Sequence, residues 1–171
     1  MIKNRSRTLG LFLALTFLNP LVYLADEGLP APQIHPLCKQ AAEQKEIKQE
    51  RVWSNWPDGS IKSKSIYFID GTWVAIHFHQ NGQMKLESYS TNVPREDNPK
   101  ITINGKHGTE KRWYENGQLS SCGAYKMGKA IGTRMLYNRD GSPAAAWTYE
   151  DGVEVEHLTY SKVFGWQPFK S

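Results

Sequence analysis

Glycine preceded by aspartate or asparagine recurs at short, regular intervals from residue 58 onwards. The pairs are Asp58-Gly59, Asp70-Gly71, Asn81-Gly82, Asn104-Gly105, Asn116-Gly117, Asp140-Gly141 and Asp151-Gly152, with Met127-Gly128 as a weaker member. Such pairs favour the type I′ turn of a β-hairpin, which needs positive φ at both central residues. We therefore expect all eight glycines at turns, joined by short antiparallel strands in a meander.

Aromatic side chains repeat in step with these turns. An aromatic residue stands four positions before three of the glycines, at Phe78, Trp113 and Tyr137. A tyrosine stands eight positions after three of them, at Tyr67, Tyr125 and Tyr149. Because strand side chains alternate between faces, fixed offsets from a turn predict that these rings stack on one surface. The chain thus contains an internal repeat of roughly 23–24 residues, which buries its core by stacking neighbours.

One stretch does not fit the repeat. Residues 91–100 ("TNVPREDNPK") stand where the spacing requires a strand, yet they include Pro94 and Pro99. Proline cannot donate a hydrogen bond to a sheet ladder and is confined to edges, strand ends and bulges. We therefore predict a loop or a bulged edge here, which splits the array.

Two segments of the repeat carry a family resemblance. "GKHGTEKRWYENGQL" (105–119) and "YKMGKAIGTRMLYNRDG" (125–141) resemble the MORN-repeat-variant family, whose bacterial members are often labelled YwqK-like antitoxins. The resemblance implies a mainly β fold, an open and elongated antiparallel meander of repeated hairpins. It also implies a role in binding proteins or membranes rather than in catalysis.

The first 25 residues look like an export signal. A basic start (1–7) precedes an almost wholly apolar stretch (9–18), which Asn19-Pro20 interrupts. One interpretation is a signal peptide cleaved after Ala25. The other is an uncleaved membrane anchor, since Leu9 to Ala25 is 17 residues long, near the lower length limit of a span. We expect an exported protein, periplasmic or secreted in the first case and anchored in the inner membrane in the second.

The remaining chain divides into three parts. Residues 26–52 read as a proline-rich linker and a short helix, because Cys38 to Arg51 is rich in helix formers and lacks glycine and proline. Residues 53–160 hold the repeats. Residues 161–171 form an aromatic tail, which either folds back over an edge of the sheet or binds a partner or a membrane interface.

The positive charge of the chain belongs mostly to its N-terminal segment. The chain has 21 basic and 17 acidic residues, and three of the bases precede Asp26, which leaves 18 against 17. No basic stripe remains that could neutralise a phosphate backbone. We therefore expect no nucleic-acid binding, and a protein as the partner.

Two cysteines, Cys38 and Cys122, follow the N-terminal segment. In an exported protein an even cysteine count permits a disulfide. A loop of this length would make that bond worth about 4–5 kcal/mol in the chain-entropy model. The alternative is two separate buried thiols, since free cysteine packs as a small hydrophobe.

Two histidines have the spacing of a metal site. His77 and His79 alternate with Phe78 and should point to one face of a strand. A site would need further ligands, for which His107, Asp70 and His157 are the candidates. The other interpretation is two polar residues on a solvated strand face.

Motifs of enzymes are missing from the sequence. We find no Gly-x-Ser-x-Gly elbow, no phosphate-binding loop and no cysteine with an adjacent histidine. We expect an exported non-catalytic repeat protein, without a cofactor, that binds another protein, and the resemblance implies an antitoxin-like or immunity-like role. The alternatives are a membrane-peripheral scaffold and a small periplasmic metal-binding protein.

Overall fold

The computed structural model describes residues 29–39 and 44–170, most of which form one antiparallel sheet. Its ten strands lie in chain order, each hydrogen-bonded to the next. The strands are β1 (Ile47–Asn55), β2 (Ile61–Phe68), β3 (Trp73–Phe78), β4 (Met84–Pro94), β5 (Thr102–Trp113), β6 (Leu119–Lys126), β7 (Lys129–Tyr137), β8 (Pro143–Glu150), β9 (Val153–Ser161) and β10 (Gly165–Pro168). A short helix, α1 (Pro36–Lys39), precedes them. The predicted mainly β, open meander with a short N-terminal helix is confirmed, while the predicted signal segment lies outside the described residues.

The helix predicted from Cys38 to Arg51 is wrong over its second part. The helix α1 ends at Lys39, residues 40–43 lie outside the described part, and the chain is extended from Ile47 as β1. Helix propensity is a weak preference, and here pairing with the free edge of β2 overrides it. The sheet therefore begins at Ile47 rather than at residue 53. It ends at Pro168, because the aromatic tail folds back and adds β10 to the edge of β9.

Five of the turns share a geometry that differs from the predicted type I′. In each, the glycine N–H donates to the carbonyl three residues earlier, and a second backbone hydrogen bond closes a three-residue loop. The residue before the glycine does not have positive φ, whereas the glycine φ lies between 81 and 86°. Each loop is therefore a type I turn followed by a left-handed glycine. These glycines are Gly59, Gly71, Gly82, Gly117 and Gly141.

The other three glycines behave differently from one another. Met127-Gly128 and Asp151-Gly152 form two-residue turns with positive φ at both positions, as predicted. Gly105 is not at a turn, and that prediction is wrong, because it pairs with Thr91 inside the β4–β5 ladder. A Cβ on Gly105 would lie 2.3 Å from Cγ2 of Val93, so glycine permits the close approach of the two strands here.

The stretch predicted to split the array does not do so. The strand β4 continues to Pro94, and the loop is confined to residues 95–101. Within it, Arg95 N–H donates to the Ile101 carbonyl, and Ile101 N–H donates to that of Asn98. Pro94 is the last residue of its strand and Pro99 lies in the loop, so both prolines occupy positions where the ladder needs no donor.

A bulge recurs beside four of the three-residue turns and changes which face the aromatic side chains occupy. In each hairpin the second strand holds one extra residue next to the turn: Lys62, Lys85, Ser120 and Ala144. One extra residue reverses the alternation of side chains beyond it. Phe78, Trp113 and Tyr137 thus lie on one face of the sheet, whereas Tyr67, Tyr125 and Tyr149 lie on the other. The prediction that all six rings share a surface is wrong, and all six are half-buried.

Neighbouring turns along one end of the sheet are joined by asparagine side chains. Asn81 Nδ2 donates to the Glu115 carbonyl at 2.8 Å, and Asn116 Nδ2 donates to the Arg139 carbonyl at 2.9 Å. The Oδ1 atom of each asparagine accepts the backbone N–H two residues on, which fixes its own turn. Each asparagine therefore holds two turns together.

The apolar core lies on one face of the sheet, in two clusters. One consists of Met135, Ala146, Leu158 and Trp166, with Ile34, Tyr137 and Tyr160 packed against it. The other consists of Phe68, Val74 and Ile76, with Ile66, Phe78, Met84 and Tyr89 packed against it. Burial reaches 2% exposure at Val74 and 1% at Cys122, which is extensive for one face of a single sheet.

Residues 29–39, which we call the strap, cross this face from the β10 edge towards the middle of the sheet. Leu29 N–H donates to the Trp166 carbonyl at 3.0 Å, Ile34 joins the apolar cluster, and Cys38 is disulfide-bonded to Cys122. The face that the strap covers is called the strap face. The predicted cysteine pair therefore fastens the strap to β6.

Candidate interaction face

The face opposite the strap carries one continuous row of side chains across nine strands. The row is Arg51, Ser65, Ala75, Ser88, Glu110, Gly123, Arg134, Trp147 and His157. No helix or strand of the described residues packs on this side, which we call the open face. Small side chains occupy most of the middle of the row, and arginine or aromatic side chains stand towards both ends. The row is therefore not covered by any other described element, while neighbouring side chains shield its serines and Glu110.

A carboxylate is buried in the middle of the open face. Glu110 is only 5% exposed, and its Oε2 lies 2.5 Å from Lys106 Nζ and 3.3 Å from Ser88 Oγ. Its Oε1 accepts from Arg112 Nη2 at 3.1 Å. Burial raises the pKa of Glu110, but the hydrogen bonds and charges of Lys106 and Arg112 outweigh it and hold the pKa below its ordinary value. Glu110 thus stays ionised and keeps both cations close to the sheet.

Three rings stack on the open face near the C-terminal edge. Trp147 and His157 lie 4.6 Å apart between centroids, and His157 and Phe169 lie 4.3 Å apart. Phe169 reaches this position because its N–H donates to the His157 carbonyl, which extends the β9–β10 pairing beyond Pro168. Half of Phe169 remains exposed. The stack is a preformed aromatic surface beside the row of small side chains.

A second aromatic group stands at the other end of the row. The guanidinium of Arg51 lies 3.9 Å from the ring centroid of Trp53, which is itself half-exposed. The indole Nε1 of Trp53 donates to Ser65 Oγ at 2.9 Å. This hydrogen bond places the indole over the row and helps to bury Ser65 without any covering element.

The structure does not bring the predicted metal ligands together. His77 is exposed beside Leu86 in the β3–β4 ladder, whereas His79 Nε2 lies 2.9 Å from the Trp113 carbonyl. His107 Nδ1 accepts from the Met127 N–H, and Asp70 is paired with Lys45. Among residues 29–39 and 44–170 no group of three or more His, Cys, Asp or Glu side chains could hold a metal ion. Within the same residues no helix is long and apolar enough to cross a membrane.

Sequence reasoning missed the residues that distinguish the open face. Glu110, Trp147, His157 and Phe169 were not predicted as a group, although Phe169 lies within the predicted aromatic tail. One signal was available, because a glutamate among cations at spacings of four and two (Lys106, Glu110, Arg112) on a strand places all three side chains on one face. The aromatic stack depends on the pairing of β9 with β10, which no local pattern encodes.

The central part of the sheet is similar to a known repeat family. The MORN repeat variant family model matches residues 106–127, which run from β5 through β6 to the Met127-Gly128 turn. No curated protein and no solved structure gives a significant match to the chain. The match coincides with one hairpin of the repeating sheet, and residues 106–127 are thus similar to a MORN repeat variant.

Proposed function

We propose that this chain is an exported, non-catalytic repeat protein that binds another protein through its open face. The observation that carries the proposal is the Trp147–His157–Phe169 stack, in which Phe169 is half-exposed, next to a row of small side chains. Rigid aromatic rings with an accessible edge are enriched at protein interfaces, because they contribute a large contact area with little loss of side-chain entropy. The match to a repeat of a kind often used for interaction supports the same function.

Export is supported by the disulfide and by the charge of the N-terminal segment. The Cys38–Cys122 bond joins residues 84 positions apart, and disulfides persist in oxidising compartments such as the periplasm. The basic and then apolar order of residues 1–25 is that of a secretory signal. In such a compartment the partner would be a secreted or envelope protein, and the antitoxin label of the resembled group makes an exported toxin the first partner to test.

A membrane-peripheral scaffold is the second candidate. Val163 and Phe164 are exposed at the β9–β10 turn, and Phe169 is exposed close by. Beyond residue 25, however, the chain has 18 basic and 17 acidic residues, so general attraction to an anionic bilayer is weak. We therefore place protein binding first, and use lipid vesicles as the competing probe.

The test is affinity capture from an envelope extract with residues 26–171 as bait. Wild-type protein should retain one stoichiometric partner, and the substitutions Trp147→Ala and Phe169→Ala should lose it, because each removes a ring of the stack. Phe164→Ala is the matched control, since it deletes an exposed phenylalanine at the neighbouring turn. Equal recovery by all four proteins, or flotation of the bait with vesicles in place of a protein partner, would contradict the proposal.

A further inference from the structure

A small pocket opens on the open face between β6, β7 and β8. Its volume is about 80 Å³, and it is lined by Gly123, Tyr125, Ala130, Arg134 and Tyr149, among others. The two tyrosines belong to the repeated set Tyr67, Tyr125 and Tyr149, which the bulges place on this face. The pocket therefore combines two phenol rings with a guanidinium next to the central row.

Glycine at position 123 permits the arginine to lie against the sheet. A Cβ on Gly123 would stand 3.2 Å from Arg134 Cγ and 3.4 Å from its Cβ, closer than side chains ordinarily pack. The aliphatic stem of Arg134 thus lies over Gly123 of β6, and the residue lines the pocket. A side chain at position 123 would force this stem to shift.

Arg134 differs from the other cations of the open face in having no partner. Lys106 and Arg112 are held by Glu110, and Arg51 stacks on Trp53. Among the described residues Arg134 forms no ion pair or side-chain hydrogen bond. The nearby carboxylate of Glu154 lies 3.9 Å from His157 Nδ1 instead. A guanidinium with five donors in a fixed fork is thus available to a ligand from outside the chain.

Tyr149 lines the same pocket as Arg134. Burial raises the pKa of Tyr149 above its ordinary value, the negative charge of Glu154 acts in the same direction, and Arg134 opposes them. Tyr149 therefore remains protonated at neutral pH and can donate its hydroxyl hydrogen. Guanidinium and phenol donors together match the oxygens of a carboxylate.

We propose that this pocket receives the carboxylate of an aspartate or glutamate side chain from an acidic segment of the protein partner. The inference rests on the proposed function and names the chemistry that the partner must present. Arg134 is cross-strand paired with Trp147, so a residue next to the bound acid would contact the aromatic stack. The matching segment is therefore an acidic residue beside an apolar one.

The probe is a fluorescent peptide in which glutamates alternate with phenylalanines, with a glutamine-for-glutamate peptide for comparison. Anisotropy titrations of residues 26–171 should show tighter binding of the glutamate peptide, by about tenfold for one desolvated charge pair. Arg134→Gln should abolish that difference, and Arg134→Lys should keep part of it, because lysine retains the charge without the fork. Lys100→Gln removes the same charge from an exposed loop and should leave binding unchanged.

Three results would overturn the inference. They are equal binding of the two peptides, an Arg134→Gln variant that binds the glutamate peptide like the wild type, and Arg134-dependent binding to phosphatidylserine vesicles without peptide binding. Unchanged thermal unfolding of Arg134→Gln verifies that the fold is intact. If Trp147→Ala loses the envelope partner while Arg134→Gln keeps it, the carboxylate pocket fails and the proposed function stands.

Discussion

On the strap face the most buried side chains are hydrocarbon and sulfur, whereas on the open face they are hydroxyls and one carboxylate. Val74, Met135 and Cys122 illustrate the first group, and Ser88 and Glu110 the second. The same ten strands supply both, because their side chains alternate between the two faces. The apolar area that stabilises the fold is therefore concentrated on one side, which leaves the other side available for a ligand.

The difference shows how a single sheet can be stable without a second layer. The strap replaces that layer over part of one face, with Ile34 and Cys38 as its fixed points. On the open face the serines are shielded by long neighbours such as Trp53, which also satisfies the Ser65 hydroxyl. Burial there depends on polar contacts, whose net contribution is smaller than that of apolar packing.

The largest effect should come from releasing the strap. Replacing Cys38 and Cys122 by alanine removes a link between residues 84 positions apart, which the chain-entropy model makes worth about 4–5 kcal/mol. Urea unfolding of the double variant and the wild type, each followed by tryptophan fluorescence, gives the difference. A loss below about 1 kcal/mol would mean that the strap is not what stabilises this face.

Substitutions at two adjacent residues, Met135 and Leu136, compare the contributions of the two faces to stability. Met135 is buried on the strap face, and Leu136 is half-buried on the open face. Met135→Ala should lower the free energy of unfolding by about 2–5 kcal/mol, because it leaves a cavity in the core. Leu136→Ala should lower it by about 1 kcal/mol, since less apolar area is lost and solvent can fill the site. Equal losses in urea unfolding would remove the distinction between the faces.

A smaller and pH-dependent effect should come from the buried carboxylate. Glu110→Gln should destabilise the protein by about 1 kcal/mol at neutral pH, because Lys106 and Arg112 are exposed enough to turn towards water. The folded-state pKa of Glu110 is depressed, so its contribution is complete above the unfolded pKa of about 4.3. It is lost as the pH falls through the folded-state value.

The measurement is urea unfolding of wild type and Glu110→Gln between neutral and acidic pH. The difference in the free energy of unfolding between the two proteins should narrow below about pH 4. The other carboxylates are present in both proteins, so their titration does not contribute to this difference. A gap that stays constant with pH would show that Glu110 contributes through shape and hydrogen bonding rather than through its charge.

The repeat could be predicted from local signals because each hairpin has its own turn. Seven of the eight predicted turns are correct, six at Asx-Gly pairs and one at Met127-Gly128, since a left-handed glycine is required in both the two-residue and the three-residue loop. Gly105 fails because a glycine can also serve close packing between strands, and only the position of Val93 distinguishes the two uses. Spacing alone therefore predicts the meander, but not the role of each glycine.

The faces could not be predicted, because one residue per hairpin decides them. The recurring bulge beside the turns, at Ser120 for example, places Trp113 and Tyr125 on opposite sides. Helix propensity also gave a wrong prediction at β1, where Ile47 to Arg51 has a helix-forming composition but pairs as a strand. The candidate face depends on both features. The strand β1 supplies Arg51 and Trp53, and the bulges place Tyr125 on the same face as Arg134.

The smallest effect on stability should come from the turns at the end of the sheet, which belong to neither face. Asn116→Asp keeps the acceptor for the Gln118 N–H but loses the donor to the Arg139 carbonyl, so we expect a loss of about 0.5–1 kcal/mol. Asp140→Asn is the matched control: Asp140 accepts from the Ser142 N–H and hydroxyl, as an amide oxygen also can, and its ion pair with Lys162 is exposed, so the change should be close to neutral. Urea unfolding measures both, and peptide binding should not change in either. If Asn116→Asp weakened peptide binding, the turns at the end of the sheet would control the geometry of the open face. The properties of the two faces could then not be treated independently of these turns.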